Sequence, residues 1–145
     1  MTLTVHGTPV PKGSARAFVI PGDKPRAVVV QNNKKALSHW QTQIGNEARY
    51  AIGHSRTTVP AYDGPFMVGV TFMFNRPKSV SSTARPVPTV KPDLDKLIRA
   101  VLDGLTGILW RDDAQVVSII AKKRYLTTAS AEYVEIRING AEGEV

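Results

Sequence analysis

The hydrophobic and polar positions of the chain repeat with two different periods, which predict its secondary structure. Residues 2 to 6 alternate polar and apolar side chains, which is typical of a short half-buried strand. Two further β-like runs, 16 to 20 and 26 to 30, flank a turn-rich segment at 21 to 25 and predict a hairpin. Apolar residues on both faces of 66 to 74 predict a central strand.

Helical periodicity occurs in two places. Apolar residues three and four positions apart predict an amphipathic helix over about 34 to 52, capped by Asn32 or Asn33. A second helix begins at about residue 93, and a glycine-containing segment closes it near Gly107. Its apolar stripe consists of Leu94, Leu97, Ile98, Val101, Leu102 and Leu105.

The order of these elements predicts the fold class. Two more strands, 115 to 123 and 132 to 138, complete the order βββαβαββ. We therefore expect an α+β (mixed α/β) fold, with one mixed sheet of about five to six strands and two main helices packed on it. A length of 145 residues fits a single domain over 1 to 145. The segment 76 to 92 holds four prolines, three serines, four basic residues and no acid, which predicts a flexible loop.

The amino-acid composition excludes several kinds of site and classes of protein. The chain has no cysteine, which excludes disulfides, thiolate metal sites and a cysteine nucleophile. The first twenty residues lack the charged start and apolar run of a signal peptide, and no stretch approaches 18 consecutive apolar residues. We therefore expect a cytoplasmic protein that is neither exported nor membrane-spanning.

The distribution of charge is more informative than the net charge of +7. Residues 1 to 92 hold 12 basic and three acidic side chains, a balance of +9, whereas residues 93 to 145 hold seven basic and nine acidic ones, a balance of −2. A basic surface favours a polyanionic partner such as nucleic acid. Five aspartates between 93 and 113 would repel phosphates unless a cation stands between them.

These five are Asp93, Asp95, Asp103, Asp112 and Asp113. Because some precede a helix and others precede a strand, we expect the helix start and the strand start to bring three or four carboxylates into one small volume. Mg²⁺, a hard cation, prefers carboxylate oxygens, and it activates water and neutralises charge in phosphodiester hydrolysis. A neighbouring cation, either Lys96 or Arg99, would then orient the scissile phosphate.

Each aspartate also has a purely structural interpretation. Asp93 suits a helix N-cap, and Asp95 suits the first turn, where it can pair with Arg99. Asp103 is expected to be a solvated helix residue, and the pair at 112 and 113 fits a turn before a strand. The concentration of five of the twelve acids within 21 residues favours a joint role.

The ordered motifs of this segment resemble one family. P-D-L-D, then L-D-G-L, then W-x-D-D-A-Q-V, over about residues 91 to 117, closely resemble the RusA-type Holliday junction resolvases of bacteria, phages and prophages. The resemblance implies that Asp93, Asp95 and Asp113 are catalytic metal ligands and that Asp112 is a supporting neighbour. Lys96 stands where the family often has asparagine, and Arg99 stands where it has an essential lysine. We expect Arg99 to take over the phosphate contact, with Lys96 as the alternative.

The resemblance also implies an activity and partners. It implies a phage- or prophage-like endonuclease of recombination and repair that resolves four-way junctions, or other branched DNA, by paired incisions with Mg²⁺, for which Mn²⁺ is a possible substitute. No small-molecule cofactor is expected. Two symmetric cuts need two sites, so we expect a homodimer. The side chains expected to hold DNA phosphates are Lys12, Arg16, Arg76, Lys78, Arg85 and Lys91.

Three alternatives remain open at this point. The loop 76 to 92 either contacts DNA or holds the dimer together. The chain can also be a non-enzymatic nucleic-acid-binding protein whose aspartates serve as caps and turns. Finally, it can be a metal-dependent nuclease that acts on flaps, forks or single strands instead of four-way junctions.

Overall fold

A computed structural model describes residues 1–13, 15–24, 26–31 and 33–141, and the side chains of 15–20 and 26–31 lie outside that description. The elements in chain order are β1 (Thr2–His6), β2 (Ala15–Ile20), β3 (Arg26–Gln31), α1 (Lys34–His54), β4 (Phe66–Phe74), α2 (Leu94–Leu105), a 3₁₀ turn (Asp113–Gln115), β5 (Val116–Tyr125) and β6 (Tyr133–Gly140). The helices and strands expected from periodicity are thus confirmed. Within the described ranges, no helix is long and apolar enough to cross a membrane.

The expected single sheet of five to six strands is wrong in its strand count. In the described part of the chain, the main sheet has four strands in the order β1-β6-β4-β5, and β2 and β3 form a separate two-stranded sheet. β5 runs parallel to β4, whereas the other pairs in the main sheet are antiparallel. The hairpin strands use each other as partners, and β1 takes β6 at the far end of the sequence. Periodicity identifies strands but not their partners, so it did not separate the two sheets.

The hydrophobic core lies between one face of the main sheet and the two helices. Alternate residues of β4, from Phe66 to Phe74, are buried, and they pack with Trp40 and Ile44 of α1 and Leu97 of α2. The prediction that β4 is a central strand is confirmed, since it lies between β6 and β5. Its other face is only half-buried and lines an open groove of about 510 Å³ with β5 and β6.

The start of α1 differs from the expected capping. Asn33 is the N-cap residue, with φ 52° in the left-handed region that asparagine tolerates, and its side chain does not cap the helix. Instead its Nδ2 donates a hydrogen bond to the carbonyl oxygen of Pro11 at 3.2 Å. Asn32, the other expected cap, lies outside the described residues. Asn33 therefore attaches the segment after β1 to the start of α1.

The connection from β4 to β5 decides where the acidic residues lie. Parallel neighbours need a crossover, and α2 provides it. Just before α2, the carbonyl oxygen of Pro92 accepts a hydrogen bond from Nζ of Lys123, near the carboxyl end of β5. Just after α2, the ring of Trp110 lies 5.1 Å from the ring of Phe66, at the amino end of β4. α2 therefore runs from the carboxyl ends of β4 and β5 back to their amino ends.

Residues 76 to 92 are attached to the carboxyl end of β5 by two basic side chains. The guanidinium of Arg76 lies 4.7 Å from the ring centre of Tyr125 and donates to the carbonyl oxygens of Arg85 and Pro86. Lys123 donates a second hydrogen bond to the carbonyl oxygen of Val90. The loop and the residue that follows it, Asp93, are thus held beside the end of β5.

Candidate functional site

Asp93 occupies the N-cap position of α2, as expected, but its carboxylate does not cap the helix. Its backbone is extended, with φ −69° and ψ 137°, and its carbonyl oxygen accepts from the N–H of Leu97 at 3.1 Å. The side chain makes no capping hydrogen bond. Its Oδ2 instead lies 3.0 Å from Nζ of Lys91 and 3.6 Å from Nζ of Lys96. The backbone of Asp93 starts the helix, and its carboxylate belongs to a charged cluster.

The two lysines stabilise the ionised form of the Asp93 carboxylate. The hydrogen bond from Lys91 is the main cause that lowers the pKa of Asp93 from its ordinary value of 3.8, and the positive charges of Lys91 and Lys96 lower it further. Partial desolvation acts in the opposite direction and is outweighed. Asp93 is therefore negatively charged at neutral pH, as a metal ligand must be.

A cavity of about 500 Å³ opens beside Asp93. Its walls are formed by Pro9, Pro11, Lys12, Gly13, Asn33, Lys91, Pro92, Asp93 and Lys96. The segment before β2 is fixed to α2 here, because the N–H of Lys12 donates to the carbonyl oxygen of Lys96 at 2.9 Å. Nζ of Lys12 lies 2.9 Å from Oδ2 of Asp103. Asp103 is exposed on the helix, as expected of a solvated residue, and it also forms this ion pair.

Asp95 and Arg99 lie on the exposed surface of α2. The ion pair expected between them is not formed, and within the described residues neither side chain makes a hydrogen bond or ion pair. The carboxylate at position 95 and the guanidinium at position 99 are therefore both accessible to a ligand, one turn apart and close to the cluster around Asp93.

Asp112 and Asp113 differ sharply in their surroundings. Oδ1 of Asp112 accepts from the N–H of Ala114 at 2.9 Å, and Oε1 of Gln115 accepts from the N–H of Asp112 at 2.9 Å. These contacts form a capping box at the 3₁₀ turn. Asp112 therefore has the structural role of a turn residue before a strand. Asp113 is exposed, and in the described part of the chain its carboxylate has no hydrogen-bond partner. Of the two, Asp113 is the one whose oxygens are accessible.

The expected convergence of the aspartates within one chain is wrong. Asp93 lies beside Lys123, whereas Asp113 precedes β5, which begins at Val116. Lys123 lies seven residue steps beyond Val116 along the strand, which corresponds to about 23 Å. Among the described residues, no group of three acidic or histidine side chains is placed so that it could hold a metal ion. The physical reason is that α2 runs antiparallel to the strands and carries the two ends of the acidic segment apart.

The predicted DNA-binding residues lie in different surroundings. The side chain of Lys91 is 81% exposed, and Lys78 is exposed on the loop. Lys12 pairs with Asp103, while Arg76 and Arg85 are half-buried, with Arg76 over Tyr125. Arg16 lies in β2 opposite Val30, and its side chain is outside the description. Three of the six, Lys12, Lys78 and Lys91, thus have described ammonium groups at or near the surface.

Two residues with clear structural roles escaped the sequence analysis. Gln115 completes the capping box and also donates to the carbonyl oxygens of Tyr62 and Gly64, both at 2.9 Å. An aspartate followed by glutamine three residues later is the sequence signature of such a cap, so this signal was present. Lys123 fixes the residues before Asp93, and no comparable signal marks it, because a lysine in a strand is ordinarily a solvated residue.

Two comparisons with known proteins each cover most of the chain. A family model described as Endodeoxyribonuclease RusA matches residues 10–139. YqaN, an uncharacterized protein of Bacillus subtilis (strain 168), is 30% identical over 131 residues, which cover 84% of this chain and 85% of that protein. The family match includes both ends of the acidic segment.

Proposed function

Because the chain belongs to the RusA endodeoxyribonuclease family, we propose that it is a Mg²⁺-dependent endonuclease that resolves four-way DNA junctions by paired incisions. The observation that carries the proposal is the family match, which extends over residues 10–139 and thus over every acidic and basic side chain discussed around α2 and β5. The resemblance noted from the motifs at 91 to 117 is confirmed by this match.

The proposed ligands of the metal are Asp93, Asp95 and Asp113. Their chemistry suits Mg²⁺, with Mn²⁺ as a substitute, since all three offer carboxylate oxygens. When bound in such a site, Mg²⁺ activates water and neutralises the charge that develops on the phosphate. The placement of the residues does not fit a metal within one chain, because Asp113 lies at the other end of β5.

The other side chains around Asp93 have roles that their positions support. Arg99, one turn beyond Asp95 and exposed, is proposed to hold the scissile phosphate in place of the family lysine, with Lys96 as the alternative. Lys12 and Lys91 line the cavity beside Asp93, where they would hold a neighbouring phosphate of the same strand. Lys91 and Lys96 stabilise the ionised carboxylate of Asp93, which is the form that would hold the metal.

The proposed working species is a homodimer in the bacterial cytoplasm. Paired incisions on opposing strands require two sites related by a two-fold axis, and each chain carries one set of acids. The net charge of +7 supports binding through phosphates, which needs little reading of the bases.

The proposal is tested by comparing substrates. Purified protein is incubated with a strand-labelled mobile four-way junction, a three-way junction, a flap and a linear duplex of the same sequence, with Mg²⁺, Mn²⁺ or chelator. We expect metal-dependent cuts at symmetric positions in opposing strands of the four-way junction, and slower cutting of the others. Equal rates on a flap or a single strand would point to a nuclease of other specificity. Binding without any metal-dependent cut would point to a non-enzymatic DNA-binding protein.

A further inference from the structure

We propose that the open face of the main sheet is a second nucleic-acid-binding site, which takes a segment of single-stranded DNA. The open face is the one opposite the helices, and its groove of about 510 Å³ runs over β4 between β5 and β6. Such binding goes beyond the proposed cleavage, because it needs no metal and uses no aspartate of the acidic segment.

The open face is separate from the acidic segment. Side chains alternate along a strand, so neighbouring residues of β5 point to opposite faces of the sheet. Lys123 donates to the carbonyl oxygen of Pro92, next to Asp93. Lys122 and Arg124, on either side of Lys123 in the sequence, point the other way and line the groove. A ligand in the groove therefore does not occupy the cavity beside Asp93.

A glycine lies at the centre of the groove. Gly69 of β4 has Arg137 of β6 on one side and Ile120 of β5 on the other. Its φ lies outside the left-handed region, and apart from its chain neighbours the nearest atom to a Cβ built there is Cβ of Arg137, at 3.7 Å. Neither the backbone nor the packing requires glycine, although glycine weakens the interior of a strand. A strand glycine of this kind marks a place where a ligand approaches the backbone closely.

The charge of the open face suits a polyanion. Lys122 and Arg124 are exposed, and among the described residues neither has a hydrogen-bond or ion-pair partner. Glu135 also lines the groove, but its Oε1 lies 3.0 Å from Nη2 of Arg137 on the same strand. That pair balances its own charge, so two uncompensated positive charges remain along β5. Phosphate groups of a nucleic-acid strand complement them.

The other side chains of this face suit bases. Met67 and Met73 of β4 are half-buried, and Ile120 is 67% exposed. Tyr133, opposite Met73 in the register, adds an aromatic ring whose centre lies 5.7 Å from the ring centre of His6. Bases of a single strand stack on aromatic rings, and thioethers pack well against aromatic groups. A duplex keeps its bases inside and would present only phosphates here, so the face favours an unpaired strand.

The register of the sheet gives such a strand a path. Gly69 shares a row of the sheet with Arg137, and Lys122 and Arg124 lie one and two rows further along β5. Successive rows on one face are about 7 Å apart, since each is two residues beyond the last. A base over Gly69 lies against the guanidinium of Arg137, as bases do on arginine planes. The phosphates that follow it then reach Lys122 and Arg124 in turn.

A side chain at position 69 tests the groove without removing any charge. Gly69→Val places a β-branched residue in a central strand where its Cβ has room, so we expect a melting temperature at or above that of wild type. The same side chain covers the floor of the groove. Affinity for fluorescent oligothymidine, measured by anisotropy in chelator, should therefore fall roughly tenfold, the effect of losing one stacked base. Wild-type affinity in folded Gly69→Val overturns the proposal, as does wild-type protein that binds no single strand.

Charge variants test the two cations of β5. Lys122→Gln combined with Arg124→Gln should lower the slope of log affinity against log salt by about 1.4, because each phosphate contact to a single strand contributes about 0.7. The matched control combines Lys34→Gln with Lys35→Gln, which removes two exposed charges from α1, on the other side of the sheet. The control should keep the wild-type slope. Equal losses in both double variants would show an effect of net charge alone and overturn a site on this face.

Photo-cross-linking locates the bound strand and does not depend on cleavage. An oligonucleotide that carries thiothymidine is irradiated with the wild-type chain in chelator, and the digested protein is analysed by mass spectrometry. We expect attachment to peptides of β4 or β6 that contain Met67, Met73 or Tyr133. Attachment confined to residues 76 to 92, or to the cavity beside Asp93, overturns the proposal.

Two other occupants of the face would give different results. If Gly69→Val changes the oligomeric state in sedimentation and leaves strand affinity unchanged, the face belongs to a second copy of the chain and the proposal is overturned. Binding of an acidic peptide but not of oligothymidine would assign the face to a protein partner, with the same consequence. If wild-type protein cuts no junction while the cross-links and variants behave as expected, the proposed function fails and the strand site stands.

Discussion

At the scale of single residues, adjacent aspartates have opposite roles. The Asp112 carboxylate accepts a hydrogen bond from the backbone of the 3₁₀ turn, and the Asp113 carboxylate is exposed. We therefore predict that Asp112→Ala lowers the free energy of unfolding by about 1 kcal/mol, the usual cost of a lost cap. Asp113→Asn should leave stability within roughly 0.5 kcal/mol of wild type and abolish cutting.

Urea denaturation followed by circular dichroism, with cleavage assayed on the same preparations, separates these two effects. A marked loss of stability in Asp113→Asn, together with an unchanged Asp112→Ala, would reverse the two assignments.

A second residue-scale prediction concerns the acid titration of Asp93. Lys91 is the main cause of its lowered pKa, so Lys91→Met should move the pKa of Asp93 back toward 3.8. The pKa of Asp93 is lower in the folded state than in the unfolded state, so its ionised carboxylate stabilises the folded protein. This contribution to the free energy of unfolding is present above pH 3.8 and is lost as the pH falls through the folded-state pKa. Carboxyl ¹³C NMR titration measures the shift. Lys78→Met on the distant part of the loop is the control, and an equal shift in both variants would argue against the local hydrogen bond.

Sequence reasoning at this scale was informative about residue type and weak about residue partners. It identified Asp93 as the helix cap, but it did not anticipate that Lys91 and Lys96 take its carboxylate while Asp95 and Arg99 stay apart. Side-chain pairing depends on the path of the loop before the helix, and that path is set by distant contacts such as Lys123 with Pro92.

At the scale of elements, the close contact of α1 and α2 depends on glycine. A Cβ on Gly104 would lie 3.3 Å from the carbonyl oxygen of Gln41 and from Cγ2 of Ile44. We predict that Gly104→Val destabilises the protein by about 1 to 3 kcal/mol, because backbone must move to accommodate it.

Gly53, near the end of α1, has open space where a Cβ would lie. Gly53→Ala is therefore the matched control, and it should stabilise the helix by roughly 0.5 to 1 kcal/mol. Thermal unfolding monitored by circular dichroism compares the two. Equal melting temperatures for wild type and Gly104→Val would refute the close-contact account.

Most elements were predictable from the sequence because each has a strong periodicity. The apolar stripe of α2 predicts a helix, and the apolar residues on both faces of β4 predict a central strand. The arrangement of the elements in space could not be predicted from the same periodicity. Nearness in sequence suggested that the aspartates between 93 and 113 converge, whereas a helix of 12 residues between them places them at opposite ends of β5.

At the scale of the whole molecule, charge is unevenly distributed, with a balance of +9 in residues 1 to 92 and of −2 in residues 93 to 145. With a net charge of +7, we predict that affinity for a four-way junction falls steeply and linearly with the logarithm of salt concentration. Fluorescence anisotropy between about 50 and 200 mM salt should show a loss of at least roughly tenfold. Affinity that does not change with salt would contradict binding through phosphates.

The measurement that tests the central claim most directly is paired binding and cleavage of one synthetic four-way junction by wild type and Asp93→Asn, over a titration of Mg²⁺. The account predicts that wild type makes symmetric cuts only when Mg²⁺ is present. It also predicts that Asp93→Asn binds the junction as tightly as wild type in the absence of Mg²⁺ and makes no cut at any Mg²⁺ concentration. Cutting by Asp93→Asn at a rate near that of wild type, or cutting by wild type in chelator, would contradict it.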